Sequence, residues 1–320
     1  MRTSAAMAVA WAVVTTIGAC GQGAPNEQGG VSQTGLVVSS PAWDASRWRQ
    51  PTMADVPNDS VGAAVRRGFA LLTATRDSLP QFVASNLNCT SCHLEEGRRP
   101  TASPFGGVYA RYPRYIDRAG AVVPIEDRVN YCFTRSLAGV TLPNASREMQ
   151  DIVAYFAYVS RGVPVGEGAA MGRIPAMPMG RGDQSRGAAI YQTTCARCHG
   201  DDGAGIEKAP ALWGPRSFSI GASMARQERA ASFVRHNMPF DKPGILSDQE
   251  AYDVAAFVTS KPRPDLPGKE NDWPLGGAPA DVPYGTKGHK AYLPPPLIPR
   301  RDTPGTHVPP PRPVARAGAQ

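Results

Sequence analysis

Apolar side chains recur at the three- and four-residue spacing of a helix in several stretches of the chain, and each stretch predicts one amphipathic helix. The first helix has Asp59 or Ser60 as its capping residue, and its apolar face is Val61, Val65, Phe69 and Leu72. A second helix ends before Pro164, and its apolar face is Met149, Ile152, Val153, Phe156 and Val159.

The second half of the chain repeats this order. Asp183 begins a third helix, and the Ser-x-x-Glu pattern of Ser247 and Glu250 forms a capping box before a fourth one. The apolar face of that fourth helix is Ala251, Val254, Ala255 and Val258. Between the first and last helix of each half lies a Cys-x-x-Cys-His motif followed by a long irregular loop.

The two motifs place Cys89 and Cys92 before His93, and Cys195 and Cys198 before His199. Two thiols can add across the two vinyl groups of a haem, while the adjoining imidazole binds its iron. Zinc is the alternative, but a closed four-ligand site built from both motifs would leave ligands over. The motifs therefore predict two covalently bound haem c groups, with His93 and His199 as proximal ligands.

This duplicated plan predicts a mainly α fold of two cytochrome c-like domains in tandem, joined by a Pro/Gly-rich linker and carrying long irregular loops and a largely disordered C-terminal tail. Trp273, Tyr284 and Tyr292 indicate that the first part of this tail covers the body, with disorder from Pro294 onward. The predicted segments are a signal peptide (1–19), a tether (20–58), a catalytic domain (59–163), a linker (164–182), an electron-transfer domain (183–262) and an extension (263–320).

The N-terminus has the features of an export signal. Arg2 precedes the short apolar run of residues 5–17, and the small residues Gly18 and Ala19 precede Cys20 as in a lipobox. The pattern predicts a periplasmic protein, lipid-anchored to the membrane through Cys20. Cleavage near Ala19 or Ala24, releasing a soluble protein, is the alternative.

The net charge of +7 is spread without a dense Lys/Arg run, which argues against a nucleic-acid partner. A mild positive field suits small anions or an acidic redox partner, although ordinary surface charge explains it equally well.

The distal iron ligands decide the chemistry of such haems. In the second half, Met238 in a Met-Pro loop before the last helix is the predicted ligand, with His236 and Met224 as alternatives. Residues 94–162 contain no His or Lys, and their one Met, Met149, belongs to an apolar face. This leaves Cys132 as the predicted ligand of the first haem.

Residues 125–137 predict a helix with two distinct faces. Val129, Phe133 and Leu137 form the packing face. The other face carries Arg128, Cys132, Arg135 and Ser136. Guanidinium groups favour a thiolate and bind oxyanions, and Arg118 lies upstream as a further candidate. Surface salt bridges with Glu126 or Asp127 are the alternative role for these arginines.

The stretch 126–136, together with Arg263-Pro264, Asp272-Trp273-Pro274 and Gly276-Gly277, resembles the dihaem thiosulfate dehydrogenases, which also work as tetrathionate reductases. The resemblance implies a catalytic first haem with His/Cys ligation and a second haem that accepts electrons. It also implies active-site roles for Arg118, Arg128, Cys132 and Ser136.

On this reading two thiosulfate ions are joined into tetrathionate, and a small cytochrome c or similar acceptor takes the electrons. Arg118, Arg128 and Arg135 would offset the repulsion between the anions, and Cys132 would hold one of them covalently. A non-catalytic dihaem electron-transfer cytochrome is the alternative. A haem peroxidase is disfavoured because the first loop lacks a histidine.

Overall fold

The structure is a computed structural model that describes residues 43–168, 172–206 and 209–299. The described ranges are mainly α, as predicted. The helices are α1 Ser60–Thr73, α2 Thr75–Ser78, α3 Leu94–Gly97, α4 Ile125–Tyr131, α5 Arg147–Val159, α6 Gln184–Ile190, α7 Ala196–His199, α8 Gln227–Asn237 and α9 Asp248–Thr259. The strands are β1 Arg114–Ile116, β2 Ala121–Val123, β3 Arg263–Pro264 and β4 Leu297–Ile298.

The predicted signal peptide and Cys20 lie outside the described residues, as do residues 300–320. Within the described part of the chain, no helix combines the length and the apolar character needed to cross a membrane. The predictions of export and lipid anchoring therefore stay predictions.

The helix starts predicted from the sequence are confirmed. The Asp59 carboxylate accepts a hydrogen bond from the Gly62 N–H at 2.8 Å, which caps α1. The Asp183 carboxylate caps α6 in the same way through the N–H of Arg186, at 2.9 Å. At α9 both bonds of the capping box between Ser247 and Glu250 are present. Each cap satisfies an amide that the first helical turn leaves without a partner.

The first and last helices of each half pack against each other, α1 on α5 and α6 on α9. Both contacts are made through a glycine. A Cβ atom at Gly68 would lie 2.0 Å from the carbonyl oxygen of Asp151, and one at Gly187 would lie 1.9 Å from that of Asp253. The backbones can approach this closely only because these positions lack side chains.

An ion pair accompanies each of these glycine contacts. Arg67 binds the buried carboxylate of Asp151 through two hydrogen bonds of 2.7 Å. Arg186 binds the buried carboxylate of Asp253 at 2.7 and 2.9 Å. The two halves thus share an Arg-Gly pair on the first helix and an aspartate on the last, which extends the predicted duplication to individual side chains.

The predicted apolar face of α1 is wrong at one residue. Val65 and Leu72 are buried, but Val61 is 62% exposed. The close approach at Gly68 turns the buried face of α1 towards Gly62, Val65 and Gly68, away from Val61. On α5, Met149 is fully buried in the core, which confirms its assignment to packing.

The chain beyond α9 returns over the body of the protein. Trp273 and Tyr284 are buried, as predicted, and the backbone N–H of Tyr292 donates to the carbonyl of Val282 at 2.8 Å. Order extends past Pro294, where we expected disorder to begin, because β4 pairs in parallel with β3.

Candidate active site

The first Cys-x-x-Cys-His segment begins with the short 3₁₀ turn Cys89–Ser91. The buried hydroxyl of Thr75 accepts a hydrogen bond from the Cys89 N–H at 3.1 Å and donates one to the Cys89 sulfur at 3.3 Å. Nδ1 of His93 lies 2.6 Å from the carbonyl oxygen of Ser103. Because a carbonyl only accepts, Nδ1 carries the proton and Nε2 keeps a lone pair for a metal.

The second segment has the same design. Cys195 ends a π-helical turn, Tyr191–Cys195, while Cys198 and His199 follow on α7. Nδ1 of His199 lies 2.9 Å from the carbonyl oxygen of Pro210, so the same tautomer is selected. Each segment therefore offers two thiols and one imidazole nitrogen ready to bind a metal, which fits the chemistry of a covalently bound haem c.

Cys132 begins a π-helical turn, Cys132–Ser136, directly after α4. Nη1 of Arg128 donates a hydrogen bond to the Cys132 sulfur at 3.1 Å, and the imidazole of His93 also interacts with this sulfur. Among the described cysteines, Cys132 is free and not part of a disulfide. The structure thus brings together the two side chains that the sequence predicted to bind one iron from opposite sides.

The surroundings of Cys132 favour its thiolate. At Cys92, burial raises the pKa of the thiol to about 12. Burial acts in the same direction at Cys132, but the charge of the neighbouring Arg128 and its hydrogen bond to the sulfur outweigh it, so the pKa of Cys132 is lowered to about 6. The thiolate is the form that binds metals and acts as a nucleophile.

Arg128 and Arg118 are both without an ion pair to a carboxylate in the described part of the chain. Within the described ranges, the hydrogen-bond partners of Arg128 are the Cys132 sulfur and Tyr112. Nη1 of Arg118 donates to the carbonyl of Gly221 at 2.9 Å, and its guanidinium lies 4.6 Å from the ring centroid of Trp273. Burial and the nearby charge of Arg135 lower the pKa of Arg118 to about 10.

Arg135 differs from these two arginines because its charge is compensated. Its guanidinium binds both carboxylate oxygens of Asp272 at 2.7 Å, and the Tyr284 hydroxyl donates to the same carboxylate at 2.6 Å. Nη1 of Arg135 also reaches the Gly221 carbonyl at 3.4 Å. Arg135 therefore lies beside Arg118, while half-buried Ser136 ends the π turn.

Comparisons with known proteins identify the family of the chain. Residues 81–165 match the family model described as SoxA/TsdA, cytochrome c domain, and residues 182–258 match the one described as cytochrome C oxidase, cbb3-type, subunit III. The chain is 40% identical to a thiosulfate dehydrogenase of Psychrobacter arcticus over 245 residues, which are 73% of this chain and 74% of that protein. The chain belongs to the thiosulfate dehydrogenase family.

Two further members of the family are also similar to the chain. A thiosulfate dehydrogenase of Allochromatium vinosum is 42% identical over 67% of this chain and 83% of its own length. The solved structure of the thiosulfate dehydrogenase TsdBA of Marichromatium purpuratum aligns with a TM-score of 0.69 and 31% identity. The alignment covers 75% of this chain and 55% of that longer chain, so this chain spans about half of its length.

The two matched regions are cytochrome c domains, so this thiosulfate dehydrogenase family member carries two covalently bound haem c groups. Cys89, Cys92 and His93 lie in the first matched region, and Cys195, Cys198 and His199 in the second. The haem content predicted from the two motifs is thereby confirmed. The assignment of individual axial ligands stays a prediction.

For the second haem, the structure describes both of the main candidate ligands. Met238 follows α8 as its C-cap residue and packs on a small apolar cluster containing Leu94 and Phe233. Nε2 of His236 is buried and has no hydrogen-bond partner within the described ranges. His236 thus has a ring nitrogen available to a metal. The helix that positions both residues, α8, was not predicted, because most of its buried positions are small or polar, such as Ala231 and Asn237, and Phe233 alone among them is large and apolar.

Four residues of the site were not singled out as functional from the sequence. Tyr112 bonds to Arg128, while Gly221, Asp272 and Trp273 surround Arg118 and Arg135. Asp272 and Trp273 belong to a motif that carried the family resemblance, which was the available signal for them. Gly221 acts through its backbone carbonyl. Every residue type has such a carbonyl, so the sequence could not indicate this role.

Proposed function

We propose that this protein joins two thiosulfate ions into tetrathionate at a haem bound by His93 and Cys132. His199 and Met238 would hold a second haem, which would supply the route by which the electrons leave. The observation that carries the proposal is the Cys132 sulfur, which lies 3.1 Å from a guanidinium nitrogen of Arg128 and beside His93. The names of the relatives, thiosulfate dehydrogenases, support the same substrate.

The site must first bring two dianions together. Arg128 and Arg118 have no ion pair to a carboxylate within the described ranges, so their charges are available to bind oxyanions and offset their repulsion. The charge of Arg135 is already compensated by Asp272. We therefore assign Arg135 a positioning role. It binds Asp272 and donates a hydrogen bond to the Gly221 carbonyl, which also accepts the hydrogen bond from Arg118.

The chemistry then proceeds on the Cys132 sulfur. The thiolate and the outer sulfur of one thiosulfate form an S–S bond, giving Cys–S–S–SO₃⁻ and releasing two electrons. The outer sulfur of a second thiosulfate then attacks the adduct sulfur that is bonded to the Cys132 sulfur. The bond between these two sulfurs breaks, tetrathionate leaves and the Cys132 thiolate is restored. Charge and atoms balance in both steps. The reverse sequence reduces tetrathionate.

When bound, the haems supply the redox capacity that accepts these two electrons one at a time. A small cytochrome c or a similar carrier is the proposed final acceptor. We further propose a periplasmic location, because covalent attachment of haem c is coupled to export and the N-terminus reads as an export signal. Anchoring through Cys20 is part of the same proposal.

The test is the thiosulfate:ferricyanide activity of holo-protein carrying Cys132→Gly. We expect both haems to remain attached and the activity to fall on the order of 10³-fold or more, as on loss of a covalent nucleophile. Met149→Leu is the matched control, since it removes a thioether sulfur of the first half that is buried in the core. That variant keeps its activity and the thiolate signature in the spin-resonance spectrum. Turnover retained in Cys132→Gly would leave only an electron carrier.

A further inference from the structure

Several arginines lie around Tyr112, and together they form a cationic cluster. The members of this cluster are Arg111, Arg114, Arg128 and Arg173. None of the four forms an ion pair with a carboxylate in the part of the chain that the structure describes. The proposed reaction uses Arg128 and leaves the other three charges without a role.

Tyr112 connects the cluster to the proposed reaction centre. Its side chain accepts a hydrogen bond from Arg128, whose Nη1 donates to the Cys132 sulfur at 3.1 Å. The guanidinium carbon of Arg114 lies 6.0 Å from the centroid of the Tyr112 ring. Arg114 is therefore separated by a single side chain from the arginine that contacts the sulfur.

Arg111 connects the cluster to the protein surface. Its Nη2 donates to the carbonyl of Gly172 at 3.3 Å, and the next residue, Arg173, is exposed. Burial lowers the pKa of Arg111, and the charges of Arg114, Arg128 and Arg173 act in the same direction. All three therefore lie near enough to Arg111 to act on its charge. The cluster extends from solvent at Arg173 to the buried Arg128.

Uncompensated charges of one sign create a positive field around the cluster. Such a field raises the local concentration of anions and the rate at which they associate with the protein. The proposed substrate, thiosulfate, is a dianion, so each positive charge attracts it with twice the energy that it exerts on a monovalent anion. The field of the cluster is therefore well matched to this substrate.

We propose that Arg111, Arg114 and Arg173 attract thiosulfate from solution and raise the rate at which it reaches Arg128 and Cys132. This attraction acts through space and requires no bond between these three arginines and the anion. The inference rests on the proposed function, because it takes a small dianion as the reactant at Cys132. The three arginines should affect the second-order rate constant at low thiosulfate and not the limiting rate at saturation.

The test changes the charge of Arg173, whose exposed side chain can be replaced without disturbing the core. Reduction of the ferric haems of holo-protein by thiosulfate is followed by stopped-flow absorbance, with no added acceptor. At an ionic strength of about 0.01 M we expect the second-order rate constant to fall about threefold in Arg173→Gln and about tenfold in Arg173→Glu. Arg173→Lys keeps the wild-type rate. At about 1 M the screening length is about 3 Å and the differences disappear.

Arg181→Gln is the matched control. Arg181 is another exposed arginine of the predicted linker, and its backbone carbonyl accepts a hydrogen bond from Gln249 of α9 at 3.1 Å. The variant alters the net charge by the same amount as Arg173→Gln but away from the cluster, so we expect the wild-type rate constant. An equal fall in the two variants would show that net charge alone matters and would overturn the proposal.

A propionate of the first haem is the other anion that this cluster would attract. In Arg114→Gln we expect the same salt-dependent loss of rate as in Arg173→Gln. A shifted potential of the first haem with a wild-type rate constant would assign Arg114 to the haem and overturn its role here.

The same experiment separates this inference from the proposed function. If thiosulfate does not reduce the ferric haems of the wild-type protein, the proposed function and this inference both fail. If it reduces them at the same rate in the wild-type protein and in Arg173→Glu at low ionic strength, this inference alone fails.

Discussion

Charge compensation separates the arginines of the site into two roles. Arg135 is bound to both oxygens of Asp272, whereas Arg128 contacts a sulfur and a phenol. The sequence predicted both on one helical face, and residue type alone does not distinguish them. Their different partners follow from the π turn, which shifts the residues after Cys132 away from simple helical spacing.

This difference predicts unequal effects on activity. Arg128→Gln removes the uncompensated charge beside the Cys132 sulfur, and we expect kcat for thiosulfate oxidation to fall about 10²- to 10³-fold, as on loss of one preorganised donor. Steady-state kinetics with ferricyanide as acceptor measure this change. Haem content by absorbance confirms that the variant is assembled.

Arg135→Gln serves as the comparison. We expect it to lose less activity than Arg128→Gln and to lose stability, because it leaves the buried Asp272 carboxylate without its cation. Equal losses of kcat in the two variants, with equal stability, would contradict the division of roles.

At the scale of elements, each half is held together by the same helix crossing. The Arg-Gly pairs Arg67-Gly68 and Arg186-Gly187 lie on the first helices, against Asp151 and Asp253 on the last. The glycine allows the backbones to touch, and the arginine satisfies the carboxylate that this contact buries. Helical periodicity alone does not reveal this crossing, and Arg-Gly pairs do not reveal it either, since Arg161-Gly162 and Arg181-Gly182 lie outside the two first helices.

Substitution of either glycine should destabilise the fold. In Gly68→Ala and in Gly187→Ala the new methyl group meets a backbone carbonyl that cannot move as a side chain would. We expect the free energy of unfolding to fall by about 3 kcal/mol in each variant, at the upper end of the usual cost of overpacking. Urea denaturation of the holo-proteins provides the measurement.

Ala70→Ser on the exposed side of α1 is the control for these variants, and we expect little change in its unfolding free energy. Wild-type stability in both glycine variants would show that the helices can separate without cost, contrary to the close packing.

At the scale of the whole molecule, the candidate site draws on three distant parts of the chain. Arg118 and Arg135 come from the first half, Gly221 from the second, and Asp272 with Trp273 from the segment that returns after α9. The segment predicted as an extension thus lines part of the site. This segment is buried through these contacts and through Tyr284.

This arrangement predicts a distant effect on substrate binding. Trp273→Ala removes the ring over which the guanidinium of Arg118 lies, so Arg118 should lose its fixed position. We expect KM for thiosulfate to rise about tenfold, which corresponds to roughly 1.4 kcal/mol of binding, with kcat less affected. Trp273→Phe keeps an aromatic face and should stay close to wild type. A wild-type KM in Trp273→Ala would argue against Arg118 as a binding residue.

The sequence by itself determined the features that depend on local spacing. These are the two haem attachment motifs, the capped helices, the apolar faces of α5 and α9, and a free cysteine among arginines. Such features need only a few neighbouring residues, because helical geometry and thioether chemistry act over one or two turns. The resemblance to the family also rested on short motifs of this kind.

Only the tertiary structure decided which charges are compensated and which remain available. Asp272 lies 137 residues from Arg135, and the carbonyl of Gly221 lies 103 residues from Arg118. Burial of Arg263 and exposure of Val61 likewise depend on how whole helices and the returning segment pack. Electrostatic and packing energies depend on distance in space, and sequence separation carries no information about that distance until the chain has folded.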